Sequence, residues 1–185
     1  IKEISYLLNK KIKKITPFQL NLRSPRETGK SFKSNSELKA KYFFKKSKIS
    51  TISDDSGLCV DCLDGRPGIY SARWAKKHGS FEQGMKKIIA LVKNKNKNKK
   101  IKNTKAKFIC SLTFYFSPTK KITTIGIVEG NISERILGKN GFGYDPIFIP
   151  KGKKLTFSQM NKRKKILMDH RFVAFKKLKN KINIL

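Results

Sequence analysis

Ala106, Phe108, Cys110, Leu112, Phe114 and Phe116 stand at every second position, with more polar residues between most of them. Successive side chains of an extended chain point to opposite faces, so this spacing predicts a half-buried strand. Ser117-Pro118-Thr119-Lys120 turns the chain, and residues 122–128 return as the second arm of an antiparallel hairpin. A hairpin with one apolar face needs a layer packed on it, and the flanking sequence supplies helices. Ile4, Leu7 and Leu8 have helical spacing at the start. Leu38 and Tyr42 mark a helix over about residues 32–46, with Ser34 and Glu37 at capping-box spacing. Phe81, Met85, Ile88, Ile89 and Val92 form one face of a helix near residues 80–92, opened by Ser80 and Gln83. Leu167, Phe172, Phe175 and Leu178 give residues 164–179 the same character. An extended piece is expected around residues 15–20 and a strand at 49–53. The apolar run then resumes over 58–63, before the turn Asp64-Gly65-Arg66-Pro67-Gly68. Helices and strands alternate early and a hairpin comes late, which predicts an α/β chain with a mixed sheet flanked by helices. Residues 1–185 are read as a single domain.

Composition narrows the setting. No apolar stretch approaches the roughly 20 residues that a membrane-spanning helix needs, so no membrane partner is expected. Three cysteines, an odd number, argue against a disulfide scaffold and fit a reducing cytoplasm. Against 44 Lys and Arg stand only 12 Asp and Glu, a formal charge of +32. Such a charge attracts polyanions. The lysines are spread over nearly every segment alongside Asn and Ile, however, a pattern that A/T-rich coding produces by itself. No dedicated nucleic-acid partner is read from it, and the lysine-rich stretch 93–105 reads as a solvated loop. The chain opens with Ile1 rather than Met, so its true N-terminus is expected upstream.

Where carboxylates are this scarce, two side by side are informative. Asp54 and Asp55 follow the strand at 49–53 and precede Ser56-Gly57, and they are expected where a strand hands a loop to solvent. Adjacent carboxylates repel, and a bound divalent cation is the natural compensation. Glu27 lies on a loop ending in Gly29, and the following helix carries Asn35 and Lys39 four apart on one face. Carboxylates with a lysine suit magnesium-assisted attack on a polyphosphate, while a simple surface ion pair for Glu27 remains open.

Gly141-Phe142-Gly143-Tyr144-Asp145-Pro146 places glycines on either side of an aromatic. Such a loop lets backbone approach a ligand and offers Phe142 as a stacking face, with Asp145 to accept from a base N–H; a plain turn around a core Phe is the open alternative. Lys165 and His170-Arg171, placed at the start of the last helix, offer donors to phosphate or base carbonyls. Cys59-Val60-Asp61-Cys62 has redox or zinc spacing without a second pair, and is read as strand sequence.

The order of these motifs carries a resemblance. Ser53-Asp54-Asp55-Ser56-Gly57-Leu58, then Gly65-Arg66-Pro67-Gly68-Ile69-Tyr70-Ser71-Ala72-Arg73, then Gly141 to Phe148, then His170-Arg171 resembles the Ham1/inosine triphosphate pyrophosphatase family. Glu27-Thr28-Gly29, Ser31-Phe32, Asn35 and Lys39-Ala40 fit the same pattern. The resemblance implies an elongated mixed sheet with two lobes around a central cleft, Mg²⁺ dependence and a homodimer. It also implies hydrolysis of noncanonical purine nucleoside triphosphates (ITP, dITP, XTP) to monophosphate and pyrophosphate. On this chain it implies Asp55 as catalytic acceptor and metal carboxylate, Glu27 as metal ligand, and Asp54 and Lys39 at the polyphosphate end. Ser56, Phe142, Gly143, Tyr144, Asp145, Lys165, His170 and Arg171 would form the substrate site. The family's first strand and phosphate loop are expected before Ile1. Arg26, Ser34 and Asp169 depart from the usual residues. The alternatives are an inactive or nucleic-acid-binding relative, or a Maf-like pyrophosphatase of other base preference.

Overall fold

The period-two run forms β2 (Lys105–Tyr115) in the computed structural model, which describes residues 2–182. Alternation holds only for its first half, because Cys110 through Thr113 are all fully buried. The reason is a hydroxyl layer. Ser36 Oγ of α2 (Phe32–Ser47) lies 2.8 Å from Ser111 Oγ and 2.9 Å from Thr113 Oγ1, so a helix seals the strand's polar face while its apolar face enters a core. The turn at Ser117 to Lys120, where Lys120 N–H donates to Ser117 O, leads into β3 (Lys121–Ile132). β1 (Thr51–Val60) and β4 (Phe148–Pro150) complete a sheet of order β1-β2-β3-β4, with β4 antiparallel to β3 and Phe148 opposite Ile132. The other helices are α1 (Lys2–Leu7), α3 (Ser71–Lys77), α4 (Phe81–Lys95), α5 (Lys162–Ile166) and α6 (His170–Ile182). None is long and apolar enough to cross a membrane among the described residues.

The chain divides into two compact units, matching in number the two lobes expected. Among the described residues the first comprises 2–56, 110–126 and 170–182. Its core joins Ile4 of α1, Cys110 and Leu112 of β2, and Ala174, Phe175 and Leu178 of α6. Residues 174, 175 and 178 fall on one helical stripe, and burying each large apolar side chain contributes about 1.5–3 kcal/mol. The second comprises residues 57–109 and 127–169. There Met85, Ile88 and Val92 of α4 share one core with Leu58 and Val60, and Phe148 stands 4.7 Å from Phe108 and 5.2 Å from Phe157, ring centre to ring centre.

Several local expectations are corrected. Residues 15–20 hold a 3-10 turn, Phe18–Leu20, instead of an extended piece, since Pro17 sets the helical φ that starts it. The cap of α2 is Ser31, whose hydroxyl accepts from Ser34 N–H while Ser34 Oγ accepts in return; Ser34 is thus the third helical residue. Glu37, freed from capping, takes the Thr123 hydroxyl and pairs with Lys121. The short α3 has too few residues to show a periodicity. Lys93 to Lys105 is less open than its composition suggests: α4 runs to Lys95, and buried Asn96 donates to Val92 O (2.7 Å) and Asn103 O (3.0 Å). The C-terminal helical run breaks after Ile166 into α5 and α6.

Gly126 of β3 lies directly under the first turn of α6. A Cβ there would strike the His170 carbonyl oxygen and the Ala174 amide nitrogen, backbone atoms that cannot swing aside. Gly126→Ala is therefore expected to destabilise the protein by roughly 1–3 kcal/mol, read as a lowered urea midpoint at unchanged slope. An unchanged midpoint contradicts the close packing.

Candidate active site

The paired aspartates do not end a strand. β1 continues through them to Val60, so Asp54 and Ser56 share one face and Asp55 points to the other. α2 meets Asp55 with two side chains one helical turn apart, as their spacing requires. Lys39 Nζ donates to Asp55 Oδ1 (3.0 Å) and to Glu27 Oε1 (2.7 Å), and Asn35 Nδ2 donates to Asp55 Oδ2 (3.3 Å). Asn35 is itself fixed, because its carbonyl oxygen accepts the Gly29 N–H at 2.8 Å. Any side chain on Gly29 would collide with Ser34 and Asn35, so glycine is what lets the Glu27 loop press against the start of α2. Glu27, Asn35, Lys39 and Asp55 are thereby brought together as their types suggested, in a partly buried ion cluster whose Asp55 end is covered and whose Glu27 side chain stays 32% exposed.

The two aspartates have opposite electrostatics. Burial pushes the Asp55 carboxyl up; Lys39 and Asn35 pull it down and Glu27 pushes it up again, leaving it above the ordinary range. Lys39 also stands above its ordinary value: burial lowers it, but Asp55 and Glu27 more than compensate. A lone ion pair would lower its acid, so the raised Asp55 reflects its burial and its second carboxylate neighbour. Asp54 is pushed up by burial too, yet the Arg171 guanidinium and the Ser56 hydroxyl hold it below the usual aspartate range. Its Oδ2 accepts from Arg171 Nε at 3.1 Å and from Ser56 Oγ at 2.9 Å. Neighbouring acids driven apart in this way take different roles: Asp54 stays an anion that anchors, while Asp55 holds a proton more readily. Arg171 also reaches Glu3 Oε2 of α1 (3.3 Å) and lies 3.1 Å from His170 Nε2. Glu3 went unread because only a tertiary contact between α1 and α6 gives it this role.

The second unit holds the other group of site residues. Gly141 and Gly143 adopt φ of 79° and 64°, which glycine tolerates, and between them Phe142 is 51% exposed, so the core-Phe alternative is not what forms. Asp145 is buried and its Oδ2 accepts the Phe142 N–H at 2.9 Å. Tyr144 is buried as well, donating its hydroxyl to Ser71 O (2.8 Å) with its ring edge-on to Phe81. Lys165, buried in α5 and not in the last helix, pairs with Asp145 (3.3 Å) and sets its ammonium 4.8 Å from the Phe142 ring centre. His170 and Arg171 are the first residues of α6. Asp169, which the motif reading did not place in the site, pairs with Lys165 at 3.1 Å; its signal was the four-residue spacing. Cys59 sits in β1 and Cys62 in the 3-10 turn after it, and burial pushes both thiols up.

The geometry thus defines an α/β protein with a partly buried acid-lysine cluster on a strand-helix pair and an aromatic loop braced by buried charges. The Ham1 family profile matches residues 1–181. The chain is 40% identical over 183 residues to the dITP/XTP pyrophosphatase of Dictyoglomus thermophilum, covering 97% of this chain and 87% of that protein. It is 38% identical to the dITP/XTP pyrophosphatase of Caulobacter vibrioides, covering 97% and 90%. Among solved structures, a HAM1 protein from Coxiella burnetii superposes with a TM-score of 0.86 at 26% identity, covering 100% of this chain and 92% of that one. The Staphylococcus aureus Ham1 protein gives 0.78 at 34%, covering 90% and 84%. The chain belongs to the Ham1 family.

The depressed Asp54 carboxyl has a consequence for acid stability. A group whose folded pKa lies below its unfolded value adds stability that is complete above the unfolded value, about 4 for aspartate, and is lost as pH falls through the folded one. In Asp54→Asn that component of the acid slope is expected to vanish, in urea midpoints compared between about pH 7 and about pH 3. Identical slopes in the two proteins contradict the pairing with Arg171.

Proposed function

We propose that this protein hydrolyses noncanonical purine nucleoside triphosphates, with ITP, dITP and XTP as its substrates, to the monophosphate and pyrophosphate, cleansing the nucleotide pool. The observation that carries the reading is the convergence of Glu27 and Asp55 on one cationic point, the Lys39 ammonium. The curated relatives' names, dITP/XTP pyrophosphatase, support the same chemistry. The reading extends to Mg²⁺ as cofactor, a homodimer and a cytoplasmic setting.

The donor set fits magnesium. Among the described residues no group of three or more His, Cys, Asp and Glu gathers for a metal. Magnesium, however, is commonly held by one or two carboxylates with substrate phosphates completing its shell, and Glu27 and Asp55 are hard oxygen donors already aimed at one charge. When bound, the ion would neutralise phosphate oxygens and polarise the phosphorus. Asp55, raised in basicity by its burial, takes the proton of the attacking water as the bond between the α-phosphorus and its bridging oxygen breaks. Asn35 orients that carboxylate through its other oxygen, and Lys39 supplies a charge that suits the polyphosphate. Asp54 and Ser56 brace Arg171. For the base, Phe142 offers its exposed face, Gly143, Tyr144, Asp145 and Lys165 shape its loop, and His170 and Arg171 are donors suited to a 6-oxo group.

Pyrophosphate release from ITP, dITP and XTP, with ATP as control and with Mg²⁺ present or chelated, tests the reading. Asp55→Asn is expected to lower turnover by roughly 10²–10⁴-fold with the fold intact by circular dichroism, and Glu27→Gln to raise the Mg²⁺ concentration required. Asp55→Asn activity within a few-fold of wild type overturns the assignment. Retention on single-stranded DNA at moderate salt, without turnover, would instead select the nucleic-acid-binding alternative.

A further inference from the structure

Asp169 lies outside the chemistry assigned above, yet it is fully buried and ionisable, which is costly unless its charge is used. Its carboxylate stands 3.1 Å from Lys165 Nζ, and the pair is held on one backbone turn because Asp169 N–H donates to Lys165 O at 3.1 Å. The same ammonium also meets Asp145 Oδ2, at 3.3 Å. That same oxygen accepts the Phe142 N–H at 2.9 Å, so Lys165 and the Phe142 backbone share one acceptor. The ammonium also sits 4.8 Å from the Phe142 ring centre and 5.6 Å from that of Phe157. An ammonium drawn wholly to Asp145 would compete with the Phe142 N–H for that oxygen and leave its place at the ring.

From this geometry we infer that Asp169 is a positioning residue for the aromatic loop: it draws Lys165 partly off Asp145 and so fixes Phe142 in the pose that stacks a purine. The inference deepens the reading of this loop as the base site and rests on it. Asp169 touches no substrate in this account. It acts through Lys165 and Asp145, and its loss weakens binding while sparing the chemical step. Asparagine, which keeps a carbonyl acceptor for the ammonium, is the conservative replacement.

The test has two arms. In the first, amide hydrogen exchange at Phe142 is followed by NMR in wild type, Asp169→Ala and Asp169→Asn; Asp169→Ser replaces Asp169→Ala should the alanine variant not fold. Exchange at Phe142 is expected to quicken about tenfold or more in the alanine or serine variant, with Ile88 of α4 unchanged as an internal control, and to stay near wild type in the asparagine variant. In the second, the ITP Michaelis constant is expected to rise about fivefold or more at a kcat within about twofold. A double variant that also carries Phe142→Ala should be no worse than Phe142→Ala alone, because both changes remove the same platform. Unchanged Phe142 exchange, or additive effects in the double variant, overturns the inference. A wild-type protein that turns over none of ITP, dITP and XTP defeats the function proposed above and not this one, which the exchange arm then decides by itself.

Discussion

The arrangement depends on the contact between Lys39 and Asp55. A carboxylate and an ammonium taken from water lose several kcal/mol of hydration each, which their attraction offsets only with good geometry and satisfied remaining lone pairs. Here the geometry offsets the loss in full for Lys39, which reaches a second acid at 2.7 Å, and only in part for Asp55, which receives Asn35 on its other oxygen. Each partner then constrains an element. Asp55 fixes where β1 runs against α2, Asn35 ties the Gly29 turn to the helix, and Glu27 brings in the loop before it. The hydroxyl layer of Ser36, Ser111 and Thr113 holds the same helix against β2 from its next face. Structural and functional demands on α2 coincide, which explains a helix whose buried residues include Asn35 and Ser36 beside Ala40 and Phe43.

The two aspartates show how neighbouring residues of one kind come to differ. Strand geometry sends them to opposite faces, and the faces hold different cations. Asp54 meets a planar guanidinium and a hydroxyl at one oxygen and is kept ionised. Asp55 meets an ammonium already shared with Glu27, and its burial is only partly offset. Proton affinity along β1 is set by what α2 and α6 bring to it and not by the acids themselves.

Much of this was legible in sequence, for identifiable reasons. The period-two run marked β2, the helical stripe of Phe81, Met85 and Ile88 marked α4, and the four-residue spacing of Asn35 and Lys39 placed both on the face that meets Asp55. What could not be read depended on tertiary partners. β1 was expected to stop at the aspartates because they close the run at 49–53 and precede Ser56-Gly57; it continues because Lys39 and Arg171 compensate them from distant segments. Ser31 displaced Ser34 as the cap of α2 because both are serines within one turn, and only the backbone path chooses between them. The burial of Asp145, Lys165 and Asp169 was invisible in a chain where lysine is everywhere; burial, not residue type, separates these charges from the solvated ones.

Hydrolysis of ITP in heavy-oxygen water with Mg²⁺ tests the central claim most directly, because it asks which bond the Asp55 cluster breaks. Attack of water on the α-phosphorus places the label in the inosine monophosphate and releases unlabelled pyrophosphate in equal amount. Label in the pyrophosphate, or products that are inosine diphosphate and phosphate, would contradict it.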